Sequence, residues 1–117
     1  MAERAERYQS HALVELRKYR IFSWLYKSAV LLDLSTGGFK LEFTVPAAVR
    51  PGEKRWLTIP LRPLGVMGPP AVTLLTQIKW FDGGRGRAGG VFGRLTPVEQ
   101  MLLAQVVENL HQRGMIL

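Results

Sequence analysis

The sequence predicts an all-β barrel followed by one C-terminal helix. Three observations carry this expectation. Up to about residue 95 short stretches alternate apolar and polar residues, turn formers separate them, and after Thr96-Pro97 the apolar period changes from two to that of a helix.

The first strand is expected from His11 to about Arg20, with Ala12, Val14 and Leu16 on one face and His11, Leu13, Glu15 and Arg17 on the other. A second strand occupies part of Phe22 to Leu34 and ends in Val30, Leu31 and Leu32. Phe22, Trp24 and Tyr26 alternate within it, just after Tyr19. They read as barrel core or cross-strand pairs, or as a contact surface if their face is exposed. Thr36-Gly37-Gly38 breaks the chain, and Phe39, Leu41 and Phe43 then alternate with Lys40, Glu42 and Thr44 in a strand with one buried face. Pro51-Gly52 marks a turn, since Pro presets the first central position and Gly accepts positive φ at the second. Trp56 to Ile59 forms the next strand, Pro63 to Pro70 a proline-rich loop, and Val72 to Phe81 a further strand. Asp82 to Gly90 reads as a glycine-dense connector, and Gly90 to Leu95 as the last strand. Thr96, Pro97 and Glu99 spell a capping box with Pro at the first helical position. Leu102, Leu103, Val106, Val107 and Leu110 then recur on one helical face, and Gly114 is a natural stop.

A chain of 117 residues, 47% of them hydrophobic, suits one domain with a real core. The boundaries expected are 1–117 for the whole, 1–10 for a flexible N-terminal arm, 11–95 for the barrel and 96–113 for the helix. The absence of cysteine excludes disulfides and thiolate metal sites. Met1 to Ser10 is charged and polar, unlike a signal peptide, and no stretch reaches the roughly 18 apolar residues of a membrane span. A soluble cytoplasmic protein is the simplest expectation. Sixteen Lys and Arg against nine Asp and Glu give a net charge of +7, which favours an anionic partner: nucleic acid, nucleotide, membrane surface or acidic protein.

The stretch richest in chemistry is Asp33-Leu34-Ser35-Thr36-Gly37-Gly38, a [D/N]-x-S-x-x-G turn between two strands. It can present a carboxylate, a hydroxyl and backbone groups in one concavity. Gly38 leaves room for a flat base to approach the chain, with Gly37 beside it. Ionised Asp33 only accepts hydrogen bonds, which suits the N–H donors of a guanine edge. The same residues also make a self-capping turn without any ligand, because Asp and Ser bond their own backbone in tight turns.

Along most of its length the sequence resembles the PilZ family. The matching pieces are Arg4 and Arg7-Tyr8 near the start, then Asp33, Ser35 and Gly38, Ile78-Lys79-Trp80, Gly90-Val91-Phe92, and Leu95-Thr96-Pro97-Val98-Glu99. The resemblance implies a six-stranded antiparallel PilZ-type β-barrel with one C-terminal α-helix that binds cyclic di-GMP. The N-terminal arginines would wrap over the ligand while the Asp-x-Ser turn holds it from the barrel side, with no cofactor and no catalytic residue. Its implied ligand set is Arg4, Arg7, Asp33, Ser35, Gly37 and Gly38. Arginine suits both phosphate and guanine O6/N7, bidentately or by stacking. Arg7 leads Arg4 for this role, since Tyr8 follows it. The family pattern is R-x-x-x-R, whereas this chain reads Arg4-Ala5-Glu6-Arg7, with Glu3 where the first arginine falls. That departure sets up an alternative: a degenerate PilZ-like interaction adaptor that binds no nucleotide. A protein partner is expected in either case, and a homodimer stays open.

Other patterns carry less. Gly84-Arg85-Gly86-Arg87-Ala88-Gly89 spells G-x-G-x-x-G but precedes a strand, whereas a dinucleotide loop must open a helix. His11 and His111 have no metal-ligand spacing, and Ser10, Ser23, Ser28 and Ser35 lack a visible base, so neither a metal site nor an enzyme is expected. A nucleic-acid-binding barrel is disfavoured because interleaved aromatic and basic strand motifs are missing.

Overall fold

The computed structural model describes residues 12–21 and 24–112. Six strands lie along the chain: β1 (Leu13–Arg17), β2 (Tyr26–Leu34), β3 (Gly38–Phe43), β4 (Lys54–Pro60), β5 (Ala71–Asp82) and β6 (Arg87–Phe92). They close into an antiparallel barrel in the order β1-β2-β3-β6-β5-β4. Closure removes every free sheet edge, and with it the need to protect one. The helix α1 (Pro97–Gln112) packs on β5 and on a short 3-10 turn at Arg62–Leu64.

Strand alternation sorts side chains as the sequence suggests. Ala12, Val14 and Leu16 of the first strand are buried while Leu13 is 54% exposed. Phe39, Leu41 and Phe43 are buried along β3. The core continues through Leu57, Ile59, Leu74 and Ile78 and is closed at one end by Leu102, Leu103, Val106 and Leu110 of α1. The helix starts as a reciprocal capping box: Glu99 N–H donates to Thr96 Oγ1 (3.1 Å), and Thr96 N–H donates to Glu99 Oε1 (2.9 Å). Asn109 Nδ2 donates to the Leu64 carbonyl (3.0 Å) and ties the helix to the 3-10 turn. The Pro51-Gly52 turn forms with Gly52 at φ 92° and Glu53 N–H donating to the Arg50 carbonyl (3.1 Å).

Three expectations need correction. The last strand begins at Arg87, not Gly90, so Ala88, Gly89 and Gly90 are ladder residues and the hairpin connector is only 83–86. The glycines serve close packing there rather than a loop. A Cβ on Gly38 would lie 2.6 Å from the Gly90 carbonyl oxygen, one on Gly90 would strike the Gln77 carbonyl, and one on Gly89 would enter the Trp80 indole. Trp24 sits in the β1–β2 connection and not in a strand. The Pro63 to Pro70 segment is only partly loop: it opens in the 3-10 turn, and Leu64 and Val66 are buried. The expected arm, with Arg4 and Arg7, and also His11, Phe22 and Gly114, lie outside the described residues.

Candidate ligand-binding site

β2 supplies Asp33 through a break in its own alternation. Ala29 and Leu31 point into the barrel, so a regular strand would turn Leu32 out and Asp33 in. The register against β3 instead shifts between Leu31 and Asp33, a β-bulge, so Leu32 is extra, Asp33 faces solvent and Leu34 returns to the core. β5 repeats the device. Ile78 points inward, its register against β6 shifts between Ile78 and Trp80, and Trp80 emerges 39% exposed while Phe81 packs back against the core. Both re-aimed side chains fall in one row: Asp33 pairs with Lys40, Lys40 with Gly89, and Gly89 with Trp80. At about 4.8 Å per strand the row spans roughly 14 Å on the outer face. Gly89, bare of side chain, lets the indole lie close against the backbone.

The turn beside this row is held by Ser35. Its Oγ accepts from Gly37 N–H (3.2 Å) and Gly38 N–H (3.1 Å), and Ser35 N–H donates to the Gly38 carbonyl (2.9 Å). Leu34 N–H donates to Asp33 Oδ1 (2.9 Å), and Oδ2 makes no hydrogen bond among the described residues. The hydroxyl therefore shapes the turn, while half of the carboxylate stays open as an acceptor. Gly38 is needed by the approach of β6, because the space its side chain would fill holds the Gly90 carbonyl. Room for a flat base is thus not the reason for a glycine at this position.

Phe92 N–H donates to the Gly37 carbonyl (3.1 Å), which joins the turn to the end of β6. Between them and α1 opens a cleft of about 500 Å³ lined by Thr36, Gly37, Phe92, Arg94, Leu95 and Gln100, among others. Arg94 is exposed, and neither it nor Lys40 has an ion pair among the described residues. By contrast Arg87 donates Nε–H to Glu42 Oε1 (2.8 Å) and is already neutralised. Of the motif residues, Asp33, Ser35, Gly37 and Gly38 come together at this corner. Lys40 and Arg94 are cations that sequence reasoning did not assign, and it read Trp80 only as the end of a strand. Lys40 was within reach of the alternation two residues after Gly38. Trp80 is placed by the shifted register of β5, and Arg94 follows the end of β6 beside the cleft.

The first described residue, Ala12, accepts a hydrogen bond at its carbonyl from Leu31 N–H (2.8 Å). Ala12 therefore lies beside the end of β2 that carries Asp33. Asp33 is about 7 Å further along β2, and the five residues back to Arg7 can span at most about 18 Å.

No family model matches the chain, and no curated protein matches it. Solved structures do. The PilZ domain of CeSA from a cellulose-synthesising bacterium superposes with a TM-score of 0.62 and 18% identity, over 86% of this chain and 92% of that one. The PilZ domain of YcgR from Escherichia coli, whose structure includes cyclic di-GMP, gives 0.59 and 16% identity, over 86% and 82%. The Bacillus subtilis inhibitor of motility, MotI/DgrA, gives 0.62 and 12% identity over 86% of this chain, which spans about half of that protein, 47%. The fold is that of a PilZ domain: six antiparallel strands in a closed barrel with one C-terminal helix.

Proposed function

We propose that the chain is a cyclic di-GMP receptor that relays the second messenger to a protein partner in the cytoplasm, without catalysis. One observation carries the reading: two bulges on different strands turn Asp33 and Trp80 outward into a single row. Bulges that re-aim side chains are a device of functional surfaces. In this reading the open oxygen of Asp33 accepts from the Watson–Crick N–H groups of one guanine. The Trp80 indole stacks a base, and Lys40 and Arg94 face the phosphates. Arg7, and secondarily Arg4, close over the ligand from the N-terminal side. Ser35, Gly37 and Gly38 hold the turn.

Calorimetric titration of the full chain with cyclic di-GMP tests this. Saturable binding is expected. Asp33→Ala should weaken it by about a hundredfold, since hydrogen bonds to a charged group are worth about 1.5–3 kcal/mol each and tenfold corresponds to 1.4. Trp80→Ala should cost about tenfold or more through lost stacking, and Arg7→Ala should abolish measurable binding. Absence of heat for the folded wild type at high micromolar ligand would rule the receptor out.

The second reading, an adaptor that needs no nucleotide, is favoured by Glu3 and the shortened Arg4/Arg7 spacing, because a glutamate beside two phosphates is repulsive. It expects Arg7→Ala to leave partner capture intact. The Glu3→Arg variant discriminates: if it creates binding that the wild type lacks, the adaptor reading holds.

A further inference from the structure

The end of the barrel farthest from Asp33 carries a surface that the receptor reading leaves unused. Tyr26 begins β2 and Asp33 lies seven residues on, about 23 Å away along the strand. The β1–β2 connection at the Tyr26 end is closed by Lys18 N–H donating to the Leu25 carbonyl (3.1 Å). Beyond that bond the chain exposes large apolar side chains: Ile21 at 79%, Trp24 at 71%, and Tyr19, Leu25 and Tyr26 at more than 40% each. From Leu16 to Leu32 the sequence holds Arg17, Lys18, Arg20 and Lys27 and no acidic residue. Arg17 is paired with Glu15 (2.7 Å), but Lys18, Arg20 and Lys27 have no ion pair among the described residues. Lys18 and Arg20 lie instead over the rings of Tyr19 and Trp56, at 5.7 and 5.6 Å. A cleft of about 250 Å³ opens beside them, where Lys18, Lys27 and Arg55 share a rim with Trp24 and Tyr26.

We infer that this hairpin end docks onto the surface of an anionic lipid bilayer. Trp and Tyr favour the headgroup level because one side of each ring system is apolar and the other hydrogen-bonds. An aliphatic side chain at the tip, with a collar of unpaired cations behind it, matches the layering of an acidic membrane surface: hydrocarbon beneath, phosphate and carboxylate above. A protein interface fits less well, since such interfaces are depleted in lysine while this collar holds Lys18 and Lys27. Docking by this end leaves Asp33, about 23 Å along β2 from Tyr26, clear of the lipid.

The test is co-sedimentation of the full chain with vesicles of phosphatidylcholine, with and without phosphatidylserine. The wild type should sediment only with the anionic vesicles, and brominated lipid should quench its tryptophan emission. Ile21→Ser and Trp24→Ala, both at exposed positions, should keep the wild-type circular dichroism and weaken sedimentation at least about tenfold each. The combined Lys18→Ala and Lys27→Ala variant should bind more weakly at low salt and lose less of its remaining binding than the wild type does as salt rises. Titration with cyclic di-GMP should be unchanged in all of these, which separates this surface from the nucleotide site. If the wild type stays in solution with anionic vesicles at low salt, the inference is overturned. It is equally overturned if Ile21→Ser and Trp24→Ala bind as the wild type does. Retention on immobilised polyglutamate without vesicle binding would instead identify the collar as a docking site for acidic protein.

Discussion

Three glycines around the row of Asp33 differ in what stands where a side chain would be, and their substitutions should differ accordingly. At Gly38 and Gly90 the obstacle is backbone, the carbonyls of Gly90 and Gln77. Backbone in a closed barrel cannot step aside without breaking ladder bonds. Gly38→Ala and Gly90→Ala should therefore each lower unfolding free energy by about 1–3 kcal/mol in urea titrations. At Gly89 the obstacle is the Trp80 indole, which is partly exposed and can swing outward. Gly89→Ala should leave stability within about 1 kcal/mol of wild type, shift tryptophan emission and weaken cyclic di-GMP binding. The reverse ranking, with Gly89→Ala the most damaging to stability, would show that the indole is fixed in place and no platform. The Asp33, Ser35 and Gly38 cluster was legible beforehand because a turn motif is local. Its companions were not. That Lys40 and Trp80 stand in line with Asp33 depends on two one-residue register shifts, and a bulge leaves little trace in sequence beyond two adjacent buried residues such as Leu31 and Leu32.

The elements themselves were mostly readable. β3 and α1 follow from periodicity and capping, because each buries a single face against one core. β6 was misplaced because strand propensity counts glycine as loop, whereas here the neighbours fill the glycine Cβ space and the ladder supplies the stability. The connection before β2 was misread for a related reason: Trp24 has strand character, but no partner strand extends to it. The helix start offers the cleanest test of an element. Among the described residues Thr96 Oγ1 is the side-chain acceptor of Glu99 N–H, and both residues lie near the surface. Thr96→Ala should cost about 1 kcal/mol of stability by urea denaturation, and Thr96→Ser nearly nothing. Cyclic di-GMP affinity should be untouched by either, since the hydroxyl of Thr96 bonds Glu99 N–H and is not among the groups assigned to the ligand. An equal loss in both variants would mean that the methyl group, not the hydroxyl, is what the cap supplies.

At the scale of the whole molecule the barrel separates two surfaces along its strands, one at the Asp33 turn and α1, the other at the β1–β2 connection. Six closed strands form a rigid body that does not transmit a signal by bending, so any ligand response must arise where chain joins the barrel without being part of it. The described chain begins at Ala12 beside this corner, its carbonyl accepting from Leu31 N–H. Two consequences follow from ligand binding to the folded state alone. Cyclic di-GMP at a hundred times its dissociation constant should add about 2.7 kcal/mol of stability, raising the melting temperature by about 10 °C. It should also slow tryptic cleavage after Arg4 and Arg7 while leaving cleavage within 18–27 unchanged. The Asp33→Ala variant should melt close to the unliganded wild type and show neither response. A thermal shift without protection at Arg4 and Arg7 would mean that the barrel corner binds the nucleotide by itself. The change presented to a partner would then have to lie in the cleft beside Arg94 instead.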